Sequence, residues 1–385
     1  VPGAFFLKNA NGRGQTDALQ RPILPTAAPG RAAGTGRARG SLAAHGLPGH
    51  PGRGRRPPLL LLLRGYGRRH LSQVLWERLV LVVAVDAPGA AAAARVIDGK
   101  AIAAEVRGEL AARVRALGAE RGITPGLAVV LVGNRPDSAA YVRNKTRAAG
   151  EVGIRVFDFA FPEHVGQEEL LQCVRGLNGD PAVHGVLVQL PLPEALDERA
   201  VIEAIDVRKD VDGLSAQSLG GLARPASAGA PDVVACTPAG CLELLRRSGV
   251  DLAGKECVVL GRSGIVGLPM ALLLLREDAT VRVCHSRTAD VARACREADV
   301  VVAAVGRPGF VQGDWLKPGC VVIDVGINRV DDATAKRGYR LVGDVDFNAA
   351  LERAALITPV PGGVGPMTVA MLLRNTVDLA ERTAA

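Results

Sequence analysis

The residues best placed to do chemistry fall into two sets. In the first, Tyr141 and Lys145 sit four apart in AAYVRNKTRAAGEVGI, with Ser138 a turn before them. On a helix these three project from one face. A phenol beside an ammonium can polarise a substrate atom, and a desolvated amine in that position can act as a general acid or base. Alone, such a pair is an ordinary solvated helix face, but its neighbours change that reading. Val183–Leu190 (VHGVLVQL) is an apolar strand run interrupted by one amide, Gln189, directly before Pro191-Leu192-Pro193. A polar group ending a buried strand requires a partner, from the protein or from a ligand. Lys209-Asp210-Val211-Asp212-Gly213 puts two acids in one turn, and a carboxylate at a cleft edge can grip an amidine-like heterocycle through paired hydrogen bonds. Thr358–Thr368 (TPVPGGVGPMT) is a Pro/Gly-rich loop entering an apolar helix; such a loop lets backbone approach a flat ligand closely.

The second set is Glu256–Gly267, ECVVLGRSGIVG, followed by VRVCHSRT at Val281–Thr288. A β-branched run enters a glycine turn at Gly261, Gly264 and Gly267, and an apolar helix from Leu268 to Leu275 leaves it. That is how a strand hands a dinucleotide pyrophosphate to a helix N-terminus. The glycine spacing fits only a loose version of the fingerprint, since the second glycine is late. The second strand ends in Cys284-His285-Ser286-Arg287, where a ribose 2′-hydroxyl would call for an acid. Ser286 and Arg287, with Arg262 in the turn, suit a 2′-phosphate instead, so the expected cofactor is NADP rather than NAD.

The elements that must position these residues are legible from periodicity. Gly99–Leu117 carries apolar residues at helical spacing, and Leu127–Val132 reads as a buried strand closed by Gly133. Asp137 or Ser138 is expected to cap the helix bearing Tyr141 and Lys145. Val300–Gly306 and Val321–Gly326 are two further buried-strand runs ending in glycine, with a helix over Asp290–Ala298 before the first. The alternation from about Lys255 to Asn328 predicts a doubly wound unit. The expected fold class is therefore α/β. A catalytic domain spans 95–240 and is completed by a helix over 366–382, a Rossmann-like domain spans 241–355, and a cleft lies between them.

Charge isolates the leading segment. Residues 1–94 hold 13 Lys or Arg against 3 Asp or Glu, a balance of +10, so the remainder carries −2 of the chain's +8. This stretch is rich in Gly, Pro, Ala and Arg and lacks periodicity, which predicts disorder. Its Arg-rich, acid-poor character resembles a transit peptide for an organelle matrix (mitochondrion or plastid), although Ser is sparse. The alternative is an over-extended gene product, with a cytoplasmic location. Leu59–Leu63 is too short to span a bilayer, and Val74–Val85 is interrupted by Glu77 and Arg78. No membrane partner is expected. Basic residues without clustered aromatics also argue against nucleic acid. The 7 cysteines form no CxxC pair, which points to a reducing compartment and no metal site.

Taken together, YVRNK, VLVQLPLP, KDVDG, CTPAG, GRSGIVG, CHSRT and PVPGGVGPMT resemble, in order and spacing, the bifunctional methylenetetrahydrofolate dehydrogenase/methenyltetrahydrofolate cyclohydrolase family, from about Arg95 to Glu381. The resemblance implies that Lys145 is essential to the cyclohydrolase step, that Tyr141 stacks on the aminobenzoyl ring, that Gln189 assists Lys145, and that Asp212 rather than Asp210 binds the pterin. Ser138, Leu190, Pro361, Gly362, Gly363, Gly365 and Thr368 would line the folate side. Thr237, Gly261, Arg262, Ser263, Ser286 and Ile327, with Pro238 nearby, would serve NADP. Family members that use NAD with magnesium and phosphate carry an insertion before the second strand and lack the CHS triplet; this sequence has no insertion and keeps CHS. It departs at Gly264, where Asn or Lys is common, a difference confined to contacts near the pyrophosphate. The implied partners are tetrahydrofolate derivatives, polyglutamylated, and a second copy in a homodimer. Two other functions stay open at this point: a monofunctional dehydrogenase, and a non-enzymatic dinucleotide-binding protein of the same fold.

Overall fold

The computed structural model describes residues 94–383 apart from 226, 228, 230 and 232; the expectations for the leading segment lie outside the described residues. In chain order the elements are β1 (Arg95–Val96), α1 (Gly99–Arg121), β2 (Gly126–Val132), α2 (Pro136–Val152), β3 (Arg155–Phe161), α3 (Gln167–Gly179), β4 (Gly185–Val188), α4 (Glu198–Glu203), α5 (Ala216–Leu222) and α6 (Cys236–Arg247). There follow β5 (Glu256–Leu260), α7 (Gly267–Arg276), β6 (Thr280–Cys284), α8 (Val291–Glu297), β7 (Val300–Ala303), β8 (Val321–Asp324), β9 (Asn328–Asp331), β10 (Tyr339–Val342), α9 (Phe347–Leu351), β11 (Leu356–Ile357) and α10 (Val364–Thr383).

Two parallel sheets carry the fold. One has three strands in the order β3-β2-β4, and the other has six in the order β1-β11-β8-β7-β5-β6. The central strands β5, β7 and β8 are buried almost throughout, as helices on both faces require of a parallel sheet. The edge strand β3 alternates instead. β1, although it precedes α1, pairs with β11 at the edge of the six-stranded sheet. A β9–β10 antiparallel hairpin stands apart from both sheets.

Local sequence explains the helices. Asp98 caps α1 by accepting from the backbone N–H groups of Lys100 and Ala101 at 3.0 Å each. Ala103, Val106, Leu110, Val114 and Leu117 form its buried stripe. α2 begins differently from expectation. Arg135 occupies the N-cap position without a capping bond from its side chain to the first turn, Pro136 supplies the preset φ of that turn, and Ser138 is buried within the helix. The side chain of Asp137 lies outside the described residues. α10 starts at Val364, earlier than the sequence suggests, directly after Gly363, whose N–H donates to the Pro359 carbonyl at 2.8 Å. It packs on α6, where Gly240 lets the Met367 side chain approach so closely that an added Cβ would lie 2.9 Å from it. One apolar core runs through α1, β2, α6, β5 and α10, with α10 packed on α1, α6 and the strands β2 and β4.

Candidate active site

α2 delivers Ser138, Tyr141 and Lys145 to one cavity of ≈ 420 Å³, whose far walls are Gln189, Asp212 and Thr237. The partner that Gln189 needs is Lys145, whose Nζ donates to its Oε1 at 3.1 Å. The amide is oriented from behind. Its Nε2 donates to the Leu190 carbonyl at 2.7 Å, and its backbone N–H donates to Val130 on β2 at 2.8 Å. Gln189 therefore lies just past the end of β4, which stops at Val188 rather than reaching Leu190. The Leu190–Pro191 peptide is cis, and both residues line the cavity. Tyr141 is 49 % exposed and lines the cavity.

The two acids of the KDVDG turn have separate fates. Asp210, 1 % exposed, is saturated from within: its carboxylate accepts from the backbone N–H groups of Gly213 (3.0 Å), Leu214 (3.4 Å) and Ser215 (3.0 Å) and from the Ser218 hydroxyl (2.8 Å). Asp212 faces the cavity. Burial pushes its carboxyl above the ordinary range, and the nearby Lys145 ammonium opposes that rise. The Cys236 thiol donates to the Val211 carbonyl (3.3 Å) and to Asp212 (3.7 Å), and burial, reinforced by the adjacent carboxylate, holds that thiol protonated. Asn375, on α10, ties the same turn down by donating to Val211 (2.8 Å) and Val234 (3.0 Å).

The glycine turn sits where the strand order of the large sheet reverses, between β5 and β7, the position at which open α/β sheets take ligands. Gly261 has φ +108°, and a Cβ there would run into the Ala304 carbonyl after β7; one at Gly267 would strike Gly261. Gly264 faces open space, so its departure from the common residue costs the turn nothing. Ser263 Oγ accepts from Val266 (3.2 Å) and Gly267 (3.4 Å) and so closes the first turn of α7. Gly261, Arg262, Ser263 and Ser286 share a cavity of ≈ 480 Å³ that has no carboxylate in its wall, and Arg287 lies outside that wall. A glycine turn with no room for a side chain at Gly261 or Gly267, the Arg262 guanidinium and the Ser263 and Ser286 hydroxyls fit the phosphates of a dinucleotide.

The Pro/Gly-rich loop builds a third cavity of ≈ 500 Å³, lined by Pro361, Gly362, Gly363 and Gly365 together with Ile327 and the other side of Tyr141. Thr368, one turn into α10, meets Thr237 of α6 at 3.0 Å between hydroxyl oxygens. Two residues expected to serve the cofactor thus lie outside the wall of the Gly261–Ser286 cavity: Thr237 in the Lys145 cavity, and Ile327 beside Gly365. Sequence reasoning missed Cys236 and Asn375 as supports of Asp212, and Ile265 and Val266, which carry the glycine turn onto the Lys145 cavity. Ile265 had a readable signal, a large apolar side chain in a polar turn, 54 % exposed. Among the described residues no cluster of three or more His, Cys, Asp or Glu could hold a metal ion, and no helix is long and apolar enough to cross a membrane.

Comparison with known proteins agrees with this arrangement. Residues 97–212 match the family model for the tetrahydrofolate dehydrogenase/cyclohydrolase catalytic domain, and residues 235–384 match that for its NAD(P)-binding domain. The chain is 55 % identical over 289 residues to bifunctional protein FolD 2 of Arabidopsis thaliana, covering 75 % of this chain and 96 % of that one. It is 53 % identical over 287 residues to the chloroplastic FolD 4 of the same plant, covering 74 % and 79 %. Among solved structures, the Trypanosoma brucei methylenetetrahydrofolate dehydrogenase-cyclohydrolase, complexed with NADP cofactor and an inhibitor, superposes with a TM-score of 0.73 at 47 % identity, over 76 % of this chain and 99 % of that one. With the lysine–glutamine pair and the glycine turn on adjoining cavities, and both family models matched along its length, the chain belongs to the tetrahydrofolate dehydrogenase/cyclohydrolase family.

Proposed function

We propose that this protein oxidises 5,10-methylenetetrahydrofolate to 5,10-methenyltetrahydrofolate with NADP and hydrolyses that product to 10-formyltetrahydrofolate. The observation that carries the reading is the Lys145–Gln189 hydrogen bond, in a cavity shared with Asp212 and bounded by Ile265 and Val266 of the glycine turn. One pocket can then hold a one-carbon bridge against both a catalytic amine and a nicotinamide.

The pterin amidine is a planar donor pair, and Asp212 is the acceptor suited to it. Tyr141 stacks on the aminobenzoyl ring, and Leu190, Pro361, Gly362, Gly363 and Gly365 close the folate side with backbone and apolar surface. Gly261, Arg262, Ser263 and Ser286 hold the dinucleotide, with Thr237 and Ile327 toward its nicotinamide end. NADP, when bound, supplies the hydride acceptor. Holding both reactants in one cleft converts their encounter into an oriented, effectively unimolecular event. In the second reaction water adds to the cationic methenyl carbon, the carbon–nitrogen bond to N5 breaks, and one proton leaves. Lys145 polarises the folate and handles that proton, and the Gln189 amide fixes the ammonium by accepting from it. Ser138 borders the same cavity, and Thr368 positions Thr237 through their shared hydrogen bond.

The same reading takes polyglutamylated folates as substrates and a homodimer as the working form. Relatives are named bifunctional, which favours this reading over a monofunctional dehydrogenase or a non-enzymatic binder. The basic leading segment and the chloroplastic name of one relative support an organelle matrix, plastid or mitochondrion. A coupled assay tests the activity: methylenetetrahydrofolate with NADP should give a methenyl absorbance that then decays, and with NAD, magnesium and phosphate the first phase should be much weaker. A methenyl signal that never decays would leave only the dehydrogenase.

A further inference from the structure

We propose that Arg307 forms the outer wall of the adenine subsite, stacking its guanidinium on the purine while Phe310 backs it from the other side. The proposal rests on the reading of the Gly261–Ser286 cavity as the dinucleotide site. In such a site the pyrophosphate lies at the glycine turn and the adenosine ribose at the end of the second strand, here Ser286. The adenine must therefore pass between the end of β6 and the loop that follows β7. Thr288 and Val291 bound that passage on one side, and Arg307 and Phe310 bound it on the other.

Arg307 is built to be a surface rather than a free tether. Its guanidinium carbon lies 4.5 Å from the centre of the Phe310 ring, and Phe310 is itself held edge-on by Trp315, with centroids 5.4 Å apart at 88°. The backbone is fixed independently. Asp344, wholly buried, accepts from three consecutive N–H groups, those of Val305 (2.6 Å), Gly306 (2.9 Å) and Arg307 (2.9 Å). Asn328 donates to the same carboxylate at 2.8 Å and completes its set of partners. Among the described residues the Arg307 guanidinium has no carboxylate partner, although it stands in an exposed position where one would be easy to supply. A planar cation pinned on one face and unpaired on the other presents a stacking platform to a heteroaromatic ring. Asp344 is then a positioning residue for the cofactor loop.

The test is calorimetric titration of the full protein with NADP, NAD and 5′-AMP, for wild type, Arg307→Ala and Arg307→Lys, with the melting temperature of ligand-free protein as the check on folding. Stacking predicts that Arg307→Ala raises Kd for all three ligands by a similar factor, about tenfold. Arg307→Lys, which keeps the charge and loses the plane, should be nearly as weak. A loss confined to NADP, or full recovery with lysine, would assign Arg307 to the 2′-phosphate and overturn the proposal, as would unchanged affinity for all three. Wild-type protein that binds neither dinucleotide would instead sink the reading of the cavity itself.

Discussion

The ammonium of Lys145 and the amide oxygen of Gln189 lie 3.1 Å apart, although they come from different elements 44 residues apart in sequence. The amide is anchored by its Nε2 donating to Leu190 and by the backbone N–H of the same residue donating to Val130, so the lysine is the member that is being held. An amine fixed in this way has little rotamer freedom left to lose when substrate arrives.

Replacing Lys145 with Met keeps the length and apolar stem and removes the amine. Hydrolysis of methenyltetrahydrofolate should fall by at least about 10²-fold, the usual scale for a positioned acid–base group. The Kd for NADP should stay within about twofold, since Lys145 is absent from the wall of the glycine-turn cavity. Decay of the methenyl absorbance and a fluorescence titration with NADP measure the two. Hydrolysis surviving at wild-type rate would remove Lys145 from the mechanism.

The two acids of one turn should separate cleanly. Asp210→Ala leaves the backbone N–H groups of Leu214 and Ser215 and the Ser218 hydroxyl without their acceptor, while Gly213 keeps the backbone carbonyl of residue 210; the cost is about 3 kcal/mol or more, visible as a lowered melting temperature. Asp212→Asn keeps the shape of the side chain and should leave the melting temperature near wild type while raising KM for the folate. Calorimetry and steady-state kinetics on both variants decide the matter. An Asp210 variant of normal stability with poor folate affinity would reverse the assignment.

The division of labour between those acids explains what could be read in advance and what could not. Period and composition located the strands and helices because their burial is one-dimensional: Val300–Ala303 and Val321–Asp324 are buried at every residue, and α1 keeps one apolar stripe. Family spacing named Lys145, Gln189 and Asp212. Nothing local in the sequence marks Asn375, a polar residue in an apolar helix, as the donor to Val211 and Val234, because its partners lie more than 140 residues away. The N-terminus of α2 misled for the opposite reason. Asp and Ser are strong caps, but Pro136 had already fixed the first turn, so Ser138 was carried into the buried face.

Cofactor choice should follow the Ser286 hydroxyl and the Arg262 guanidinium in the carboxylate-free cavity. Ser286→Ala and Arg262→Ala each remove a donor suited to a 2′-phosphate, and a charge-assisted bond is worth about 1.5–3 kcal/mol. NADP affinity should drop about 10- to 100-fold, while NAD affinity changes little, because its 2′-hydroxyl carries no charge to lose. Binding curves for both dinucleotides on both variants provide the check; an equal loss with NADP and NAD would mean that these residues hold the pyrophosphate instead.

Acid stability should depend on Glu243. Burial by itself would raise this carboxyl, but hydrogen bonds from Arg374 and Arg247 overcome that and hold it at about 2, against an ordinary 4.5. The Arg374 contact is 3.0 Å and the Arg247 contact 2.7 Å, and Arg247 also reaches Glu109 at 2.8 Å, so the cluster ties α6 to both α1 and α10. A carboxyl depressed in the folded state stabilises it above the unfolded value and loses that contribution as pH falls toward the folded one. The window is therefore pH 4.5 down to about 2. Glu243→Gln should lower the melting temperature at pH 7 and flatten the acid limb, so that the curves of variant and wild type converge near pH 2. Because α10 also carries Asn375 and Thr368, the same variant should raise KM for the folate at neutral pH before it unfolds. Parallel melting curves at every pH would show that the two arginines stabilise the helices by packing alone.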